Sequence, residues 1–216
     1  MTEHNFEHMR RAMVASQLRT TGVNDPKVVA AMGAVPRELF VPEHLVSGAY
    51  TDLIIPLGHG RELNTPMSLG RMLSEARLKG HEHALVIGCA TGYSAAVVAR
   101  LAKSVVALEE QPELTVWARR ALEGTGVVVV EGPLNQGHAA AAPYDFILID
   151  GAVEFVPQPI IDQVADGGEI AAAILDGGVP RLSIGRVVGG AFGSAAFSDA
   201  ATPMLPGFLK PRGFSF

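Results

Sequence analysis

One stretch constrains the fold of this chain more than any other. Residues 84–93 read ALVIGCATGY, an apolar run that stops at a glycine and turns through small residues. A short apolar run bounded by glycine is typical of a buried strand, and the Ala- and Val-rich residues 94–102 beyond it predict a helix packed on the sheet. The turn therefore lies at the carboxyl edge of a strand. Open α/β sheets bind ligands there, where backbone N–H groups and the positive end of the next helix collect.

Strand-like and helix-like segments alternate from residue 83 onward. Strands are predicted at residues 84–88, 105–109, 127–131, 146–150 and 169–174, and helices near residues 94–102, 112–122 and 157–165. This alternation predicts an α/β fold with a mostly parallel, doubly wound sheet and helices on both faces. After residue 178 the helical pattern stops, and residues 182–188 and 195–197 are interpreted as closing strands, joined as an antiparallel hairpin through Gly189 and Gly190.

The first 80 residues have a different, mainly helical character. Residues 6–19 carry apolar side chains at helical spacing, and Asp25-Pro26 has the form of a cap and first position of a second helix over residues 27–32. A further helix is predicted to begin at residues 64–66, Asn-Thr-Pro. We interpret residues 1–80 as a helical extension and residues 81–216 as the sheet part of one domain, 1–216.

Composition limits the function classes. The chain has 216 residues, 48% hydrophobic and 18% charged, which predicts one sizeable core. A net charge of −5 without a Lys/Arg run disfavours nucleic acid as a partner, and the single cysteine excludes a disulfide framework and a cysteine metal cluster. The amino terminus lacks the apolar core of a secretory signal, and no run of about 18 apolar residues is present. We therefore expect a cytoplasmic protein with no membrane contact.

The glycine turn is the first candidate site. Glu109 ends the next predicted strand roughly 20 residues after Gly88, the spacing at which nucleotide-binding sheets place an acid on ribose hydroxyls. A solvated strand end is the alternative interpretation of Glu109. Tyr93 stands where a dinucleotide site would need a third glycine, and no lysine follows the turn as a P-loop requires, so NAD and nucleoside triphosphates are disfavoured. A G-x-x-x-G turn with an acidic second strand fits S-adenosylmethionine better.

The second candidate site is the loop around His59. Gly58 and Gly60 on both sides free the backbone of this histidine and are typical of an exposed loop side chain. A purely structural histidine is the alternative interpretation. A metal hydrolase that uses His59 with Asp150 or Glu154 is a further alternative, but no paired metal-ligand spacing on one helix supports it.

Four segments together resemble one known family. The first segment contains VASQLRTTGVNDPKVV and VPRELFVPEHL, and the second is AYTDLIIPLGHGRELNTP. The third contains ALVIGCATGYSAAVV and VALEEQPEL, and the fourth is APYDFILID. All four follow the order and spacing of the protein-L-isoaspartate O-methyltransferase family over residues 14–178. The resemblance implies a Rossmann-like class I methyltransferase fold, S-adenosyl-L-methionine as cofactor and a protein or peptide carboxylate as methyl acceptor. A small-molecule acceptor and an oligomeric state stay open. Whether residues 200–216 cover the sheet or join a second chain also stays open.

The resemblance also implies site residues. No metal ligands are implied. The acceptor side is expected to use His59, Asn64 and Thr65. The cofactor side is expected to use Gly88, Cys89, Ala90, Thr91, Gly92, Tyr93, Glu109, Glu110, Gly132 and Asp150.

The chain departs from the family pattern at four of its motif positions. Asn64 stands where the family has a serine at the reacting carboxylate, Ala90 replaces a glycine, and Val86 and Pro133 stand at acidic positions. A carboxylate acceptor is already ionised near neutral pH, so no general base is required and alignment carries most of the catalysis. Each lost charged hydrogen bond to the cofactor is expected to cost about 1.5–3 kcal/mol of binding. A retired enzyme that serves as a binding or scaffold module is therefore the second hypothesis.

Overall fold

The computed structural model describes residues 3–210, and a seven-stranded sheet forms its centre. The strands within the described residues are β1 Ile55–Gly58, β2 Arg61–Leu63, β3 His83–Ile87, β4 Ser104–Glu109, β5 Val128–Glu131, β6 Tyr144–Val153, β7 Val164–Asp176, β8 Val179–Val188 and β9 Ala191–Asp199. The central sheet has the order β5-β4-β3-β6-β7-β8-β9, and β1 pairs with β2 in a separate hairpin. Neighbours from β5 through β7 are parallel, whereas β8 and β9 are antiparallel. The predicted mostly parallel sheet with a closing hairpin is confirmed.

Residues 3–210 contain six α-helices, and two of them begin at side-chain caps. The helices are α1 Glu3–Met13, α2 Pro26–Ala34, α3 Pro66–Ala76, α4 Tyr93–Val98, α5 Pro112–Ala121 and α6 Gln158–Ile161. Helix α1 continues through a π-helical segment, Val14–Leu18, and a 3₁₀ turn, Arg19–Thr21. The carboxylate of Asp25 accepts from the first free N–H groups of α2, and the hydroxyl of Thr65 accepts from Ser68 in α3. Both predicted helix starts are confirmed.

Two hydrophobic cores lie on opposite faces of the sheet, because side chains alternate along each buried strand. In β3, Ala84 and Val86 belong to one core, and Leu85 and Ile87 belong to the other. The first core is covered mainly by helices α1–α5. The second core is covered by α6, the loop at Leu134 and the C-terminal residues Leu205 and Phe208.

Some element boundaries differ from the sequence predictions. The helix expected near residues 157–165 is one turn, Gln158–Ile161, because the carbonyl of Gln163 accepts from Tyr144 N at 2.8 Å and its side chain binds the loop before β6. Helix α4 ends at Val98, where Arg100 and Leu101 make short-range turn bonds. The hairpin of β1 and β2 was not predicted. Within residues 3–50 no strand is present, as expected.

The C-terminal segment, defined as residues 200–210, crosses the carboxyl edge of the sheet. Leu205 and Phe208 are buried, and Ala152 in β6 forms a parallel bridge with Met204. The described part of this apolar tail therefore packs on the sheet, one of the two roles that the sequence leaves open, whereas Phe214 and Phe216 lie outside the described residues. No helix between residues 3 and 210 is both long enough and apolar enough to cross a bilayer.

Candidate active site

The sheet reverses its strand order between β3 and β6, which is where open α/β folds bind their ligands. The glycine turn, Gly88 to Gly92, follows β3 directly, and Asp150 and Gly151 lie in β6 beside it. Glu109 ends the neighbouring strand β4. The structure therefore brings the glycine turn, Glu109 and Asp150 to one edge of the sheet, as the sequence predicted.

The hairpin of β1 and β2 aims one arginine into this edge. Its turn residues, His59 and Gly60, have φ values of +54° and +70°, as the two central positions of a type I′ turn require. Alternation along β2 then buries Arg61 and Leu63 and exposes Glu62 between them. Arg61 is 2% exposed. The glycine at position 60 thus serves the turn, and the turn sets the direction of Arg61.

Arg61 forms a buried ion pair with Glu109. Its Nε lies 3.1 Å from Oε1 of Glu109 and its Nη2 lies 3.0 Å from Oε2, a two-point contact between the guanidinium and the carboxylate. Nη2 also donates to the carbonyl of Gly88 at 3.1 Å. Nη1 is buried and finds no acceptor within residues 3–210. Glu109, the acid predicted to bind a ribose, is therefore bound by the side chain of Arg61.

The amides of the glycine turn are also occupied within the chain. The backbone N–H groups of Gly88 and Cys89 donate to the carbonyl of Leu108, and that of Gly92 donates to Cys89. Glu109 accepts from three backbone N–H groups, those of Ala90, Glu110 and Gln111. The amides of Gly88, Cys89 and Ala90 are therefore used within the chain by β4 and Glu109. Ala90 takes φ of +51°, a conformation that favours glycine.

Leu205 of the C-terminal segment covers the same edge. A Cβ added to Gly88 would lie 3.0 Å from both Arg61 Nη2 and Leu205 Cδ2. A Cβ added to Gly151 would lie 2.5 Å from Leu205 Cγ and 2.9 Å from the carbonyl oxygen of Pro203. The two glycines therefore make room for Arg61 and the C-terminal segment.

Asn64 and Asp150 meet inside the site. Asn64 Nδ2 donates to Asp150 Oδ1 at 2.9 Å, and the side-chain oxygen of Asn64 accepts from the backbone N–H of Thr65 at 2.8 Å. Burial raises the pKa of Asp150, and this effect exceeds the opposing effect of the hydrogen bond from Asn64. The structure thus joins a residue expected on the acceptor side to one expected on the cofactor side. Thr65 lies next to them but acts as the cap of α3.

A second buried arginine fixes the segment that carries Asn64. Arg37 donates from Nε to the carbonyl of Ala49 at 2.8 Å and from Nη2 to the carbonyl of Asn64 at 2.7 Å. Its guanidinium lies 4.5 Å from the ring centre of Tyr93. Burial lowers the pKa of Arg37 and raises that of the Tyr93 phenol. Tyr93 is therefore a packing partner here, and Arg37 links it to Asn64.

The other predicted residues lie at varied depths. Thr91 is buried and donates to the carbonyl of Phe40 at 2.7 Å. Cys89 is buried, and burial first and Glu109 second raise the pKa of its thiol well above the usual value. Gly132 is half-buried and donates its N–H to the carbonyl of Glu109 at 3.0 Å. Glu110 is half-buried beside it.

His59 lies apart from Asn64 and Asp150. It is exposed at the tip of the hairpin, where its Nδ1 lies 3.7 Å from Glu113 Oε2 in α5. Among residues 3–210, no group of three or more His, Cys, Asp or Glu side chains could hold a metal ion. The geometry therefore gives no support to the metal hydrolase hypothesis.

Comparison with known proteins identifies the family. The family model for protein-L-isoaspartate(D-aspartate) O-methyltransferase matches residues 9–181. The chain belongs to the protein-L-isoaspartate O-methyltransferase family. It is 39% identical over 209 residues to the protein-L-isoaspartate O-methyltransferase 2 of Marinobacter nauticus, covering 93% of this chain and 94% of that one. It is also 39% identical over 168 residues to the enzyme of Methanoculleus marisnigri, covering 76% of each chain.

Solved structures confirm the fold of this family member. A protein-L-isoaspartate O-methyltransferase superposes with a TM-score of 0.80 at 23% identity, covering 93% of this chain and 67% of that chain. A Plasmodium falciparum protein described as a protein-L-isoaspartate O-methyltransferase, in complex with S-adenosyl-L-homocysteine, superposes with a TM-score of 0.76 at 16% identity, covering 90% of this chain and 96% of that chain. The predicted class I methyltransferase fold is confirmed.

Sequence reasoning missed three residues of the site. Arg61 and Leu63 alternate with Glu62, but this signal has meaning only once β1 and β2 are known to pair. Arg37 is followed directly by Glu38, so no local pattern distinguishes its buried side chain from a solvated one. Leu205 has no local signal of a site residue, because its place over the glycine turn depends on the path of the whole C-terminal segment.

Proposed function

We propose that this protein is an S-adenosyl-L-methionine-dependent O-methyltransferase that acts on the carboxylate of an isoaspartyl residue in a protein or peptide, as in protein repair. The observation that carries the proposal is family membership over residues 9–181, together with a class I fold whose glycine turn and Glu109 meet at the switch point of the sheet. The reaction transfers a methyl group from the cofactor's sulfonium to a carboxylate oxygen.

The residue types at this edge suit the cofactor, but their arrangement here does not admit it. A glycine turn beside a carboxylate at the end of the next strand offers what a nucleoside needs. However, both oxygens of Glu109 are bound by Arg61, and Leu205 lies against Gly88 and Gly151. The cofactor therefore requires a different placement of these two side chains.

The acceptor side is proposed to use the buried amide of Asn64. An acceptor carboxylate is ionised near neutral pH and needs alignment in place of a general base. Asn64 is held by Arg37 and Thr65 and has an N–H donor, which Asp150 accepts in this arrangement. The loss of a family serine at this position is therefore compatible with binding a carboxylate.

His59, at the exposed tip of the hairpin, is proposed to contact the substrate chain outside the reacting group.

A methyl-transfer assay tests the proposal. The protein is incubated with labelled S-adenosylmethionine and either an isoaspartyl peptide or the same peptide with an ordinary aspartyl residue. We expect labelling of the isoaspartyl peptide alone, and a loss of at least tenfold in kcat/KM for Glu109→Gln. The matched control is Glu169→Gln, because Glu169 forms a surface ion pair with Arg186.

The outcomes distinguish the methyltransferase hypothesis from the retired-enzyme hypothesis. If the cofactor binds but the isoaspartyl peptide is not labelled, the acceptor class is wrong and the methyltransferase assignment stands. If neither cofactor binding nor transfer is found, the retired-enzyme hypothesis replaces the proposal.

A further inference from the structure

Two side chains from distant parts of the chain fill the edge where the proposed cofactor binds. Arg61 comes from the β1–β2 hairpin and Leu205 from the C-terminal segment, and both lie within 3.0 Å of a Cβ placed on Gly88. We propose that Arg61 and Leu205, together called the plug, close the site when no cofactor is bound. We further propose that Arg61 sets cofactor affinity by competing with the ribose hydroxyls for Glu109. This inference rests on the proposed function.

The charge at Glu109 explains why an internal cation occupies the site. A carboxylate that is 0% exposed must have hydrogen-bond donors or a counter-ion. Arg61 supplies both in the absence of a ligand, with contacts at 3.1 and 3.0 Å. Ribose hydroxyls are also donors, so they can take over the same carboxylate oxygens when Arg61 leaves.

One N–H₂ group of the Arg61 guanidinium lacks a hydrogen-bond acceptor within residues 3–210, which favours displacement of this side chain. The buried Nη1 of Arg61 finds no acceptor in the described part of the chain. A buried ion pair with a missing hydrogen bond regains little of the desolvation cost of its charges. Movement of Arg61 toward solvent would restore that hydration, while Glu109 keeps its three backbone donors.

Displacement of Leu205 requires the release of backbone hydrogen bonds of the C-terminal segment. Near the site this segment is tied to β6 by the bonds Ala152 N to Pro203 O at 2.7 Å and Leu205 N to Ala152 O at 2.9 Å. Further along the segment, Gly207 has φ of +81° and Phe208 is fully buried in the second core. Phe208 thus anchors the segment, and a short stretch before it carries Leu205 over the glycines.

Closure by the plug has a quantitative consequence for binding. When only a fraction of molecules has an open site, the apparent dissociation constant equals the intrinsic constant divided by that fraction. Removing either part of the plug should therefore tighten binding. The experiment measures binding of S-adenosylhomocysteine by calorimetry to the full chain and to Arg61→Ala and Leu205→Ala.

We expect binding at least tenfold tighter in Arg61→Ala and at least threefold tighter in Leu205→Ala. Arg186→Ala is the matched control, because Arg186 pairs with Glu169 on the surface. It should bind with the same constant as the unmodified chain.

A cofactor-free measurement keeps closure separate from binding. The backbone N–H of Ala152 donates to the carbonyl of Pro203 in the C-terminal segment, and that of Ala90 donates to Glu109. The rate at which deuterium labels these two amides reports opening of this edge. We expect labelling at least tenfold faster in Arg61→Ala and Leu205→Ala. Met13→Ala, which removes a buried side chain from α1, controls for faster labelling through general loss of stability.

The outcomes distinguish the inference from the proposed function. Tighter binding and faster labelling in both variants, with unchanged controls, support the plug. Equal binding by all proteins with unchanged labelling overturns the plug and leaves the proposed function standing. Faster labelling without binding at millimolar S-adenosylhomocysteine supports closure, overturns the role of Arg61 in cofactor affinity and contradicts the proposed function.

Discussion

At the residue scale, Glu109 and Arg61 are unequal partners in their buried pair. Without Arg61, Glu109 keeps three backbone donors, but without the carboxylate, Arg61 keeps one acceptor, the carbonyl of Gly88. A glutamine at position 109 would also place its own N–H₂ donors against backbone N–H groups that now donate to the carboxylate. We expect Glu109→Gln to lower the free energy of unfolding by about 3–5 kcal/mol and Arg61→Met, which keeps an apolar stem, by about 1–3 kcal/mol. Urea unfolding measures both, and a larger loss in Arg61→Met would contradict this order.

Ala90 is strained at the centre of the glycine turn. Its φ of +51° costs an alanine about 1 kcal/mol, whereas a glycine takes this conformation freely. We therefore expect Ala90→Gly to change the free energy of unfolding by between zero and about +1 kcal/mol, since greater freedom of the unfolded chain offsets part of the gain. The control is Ala95→Gly in helix α4, which should lose about 1 kcal/mol or more. Equal losses in the two variants would show that Ala90 is not strained.

Asp150 gives the stability a pH dependence with a definite sign. Burial raises its pKa, so its contribution to stability is fully present below the ordinary carboxyl pKa and is lost as pH rises through the raised value. Asp150→Asn keeps an acceptor for Asn64 and removes this loss. The stability of the variant relative to the unmodified chain should therefore increase as pH rises above the ordinary carboxyl pKa, as measured by denaturant titrations. The exposed Asp162→Asn is the control, and a pH-independent difference for Asp150→Asn would contradict the account.

At the element scale, the β1–β2 hairpin connects turn chemistry to the site. Gly60 has φ of +70° and open space around its Cα, so an alanine there meets backbone strain and no clash. We expect Gly60→Ala to cost about 1–2 kcal/mol in thermal or urea unfolding. Gly193→Ala in strand β9 also has open space and no positive φ, so it should be close to neutral. If the two variants are equally stable, the turn does not constrain Arg61.

Sequence patterns predicted the elements of the sheet better than the contents of the site. The apolar run of residues 84–88 and its glycine can only be a buried strand and turn, because burial and backbone geometry are local properties. Asp25-Pro26 and Thr65-Pro66 likewise determine helix starts through short-range hydrogen bonds. Helix α6 was overestimated because a tertiary bond, from Tyr144 N to Gln163 O, ends it early.

At the scale of the whole molecule, the site combines parts that are far apart in the chain. The predicted meeting of the glycine turn, Glu109 and Asp150 follows from the parallel sheet alone. The partners of these residues do not. The contact of Arg61 with Glu109 spans 48 positions, and that of Asn64 with Asp150 spans 86. Such contacts depend on how the hairpin and the C-terminal segment fold back over the sheet, and no local pattern encodes that path.

The measurement that tests the account most directly is a crystal structure of the full chain with S-adenosylhomocysteine bound. We predict that the ligand lies at the carboxyl edge between β3 and β6, that its ribose hydroxyls bind Glu109, and that Arg61 and Leu205 have left Gly88. A ligand bound at another place, with the Arg61–Glu109 pair intact, would contradict both the proposed site and the plug.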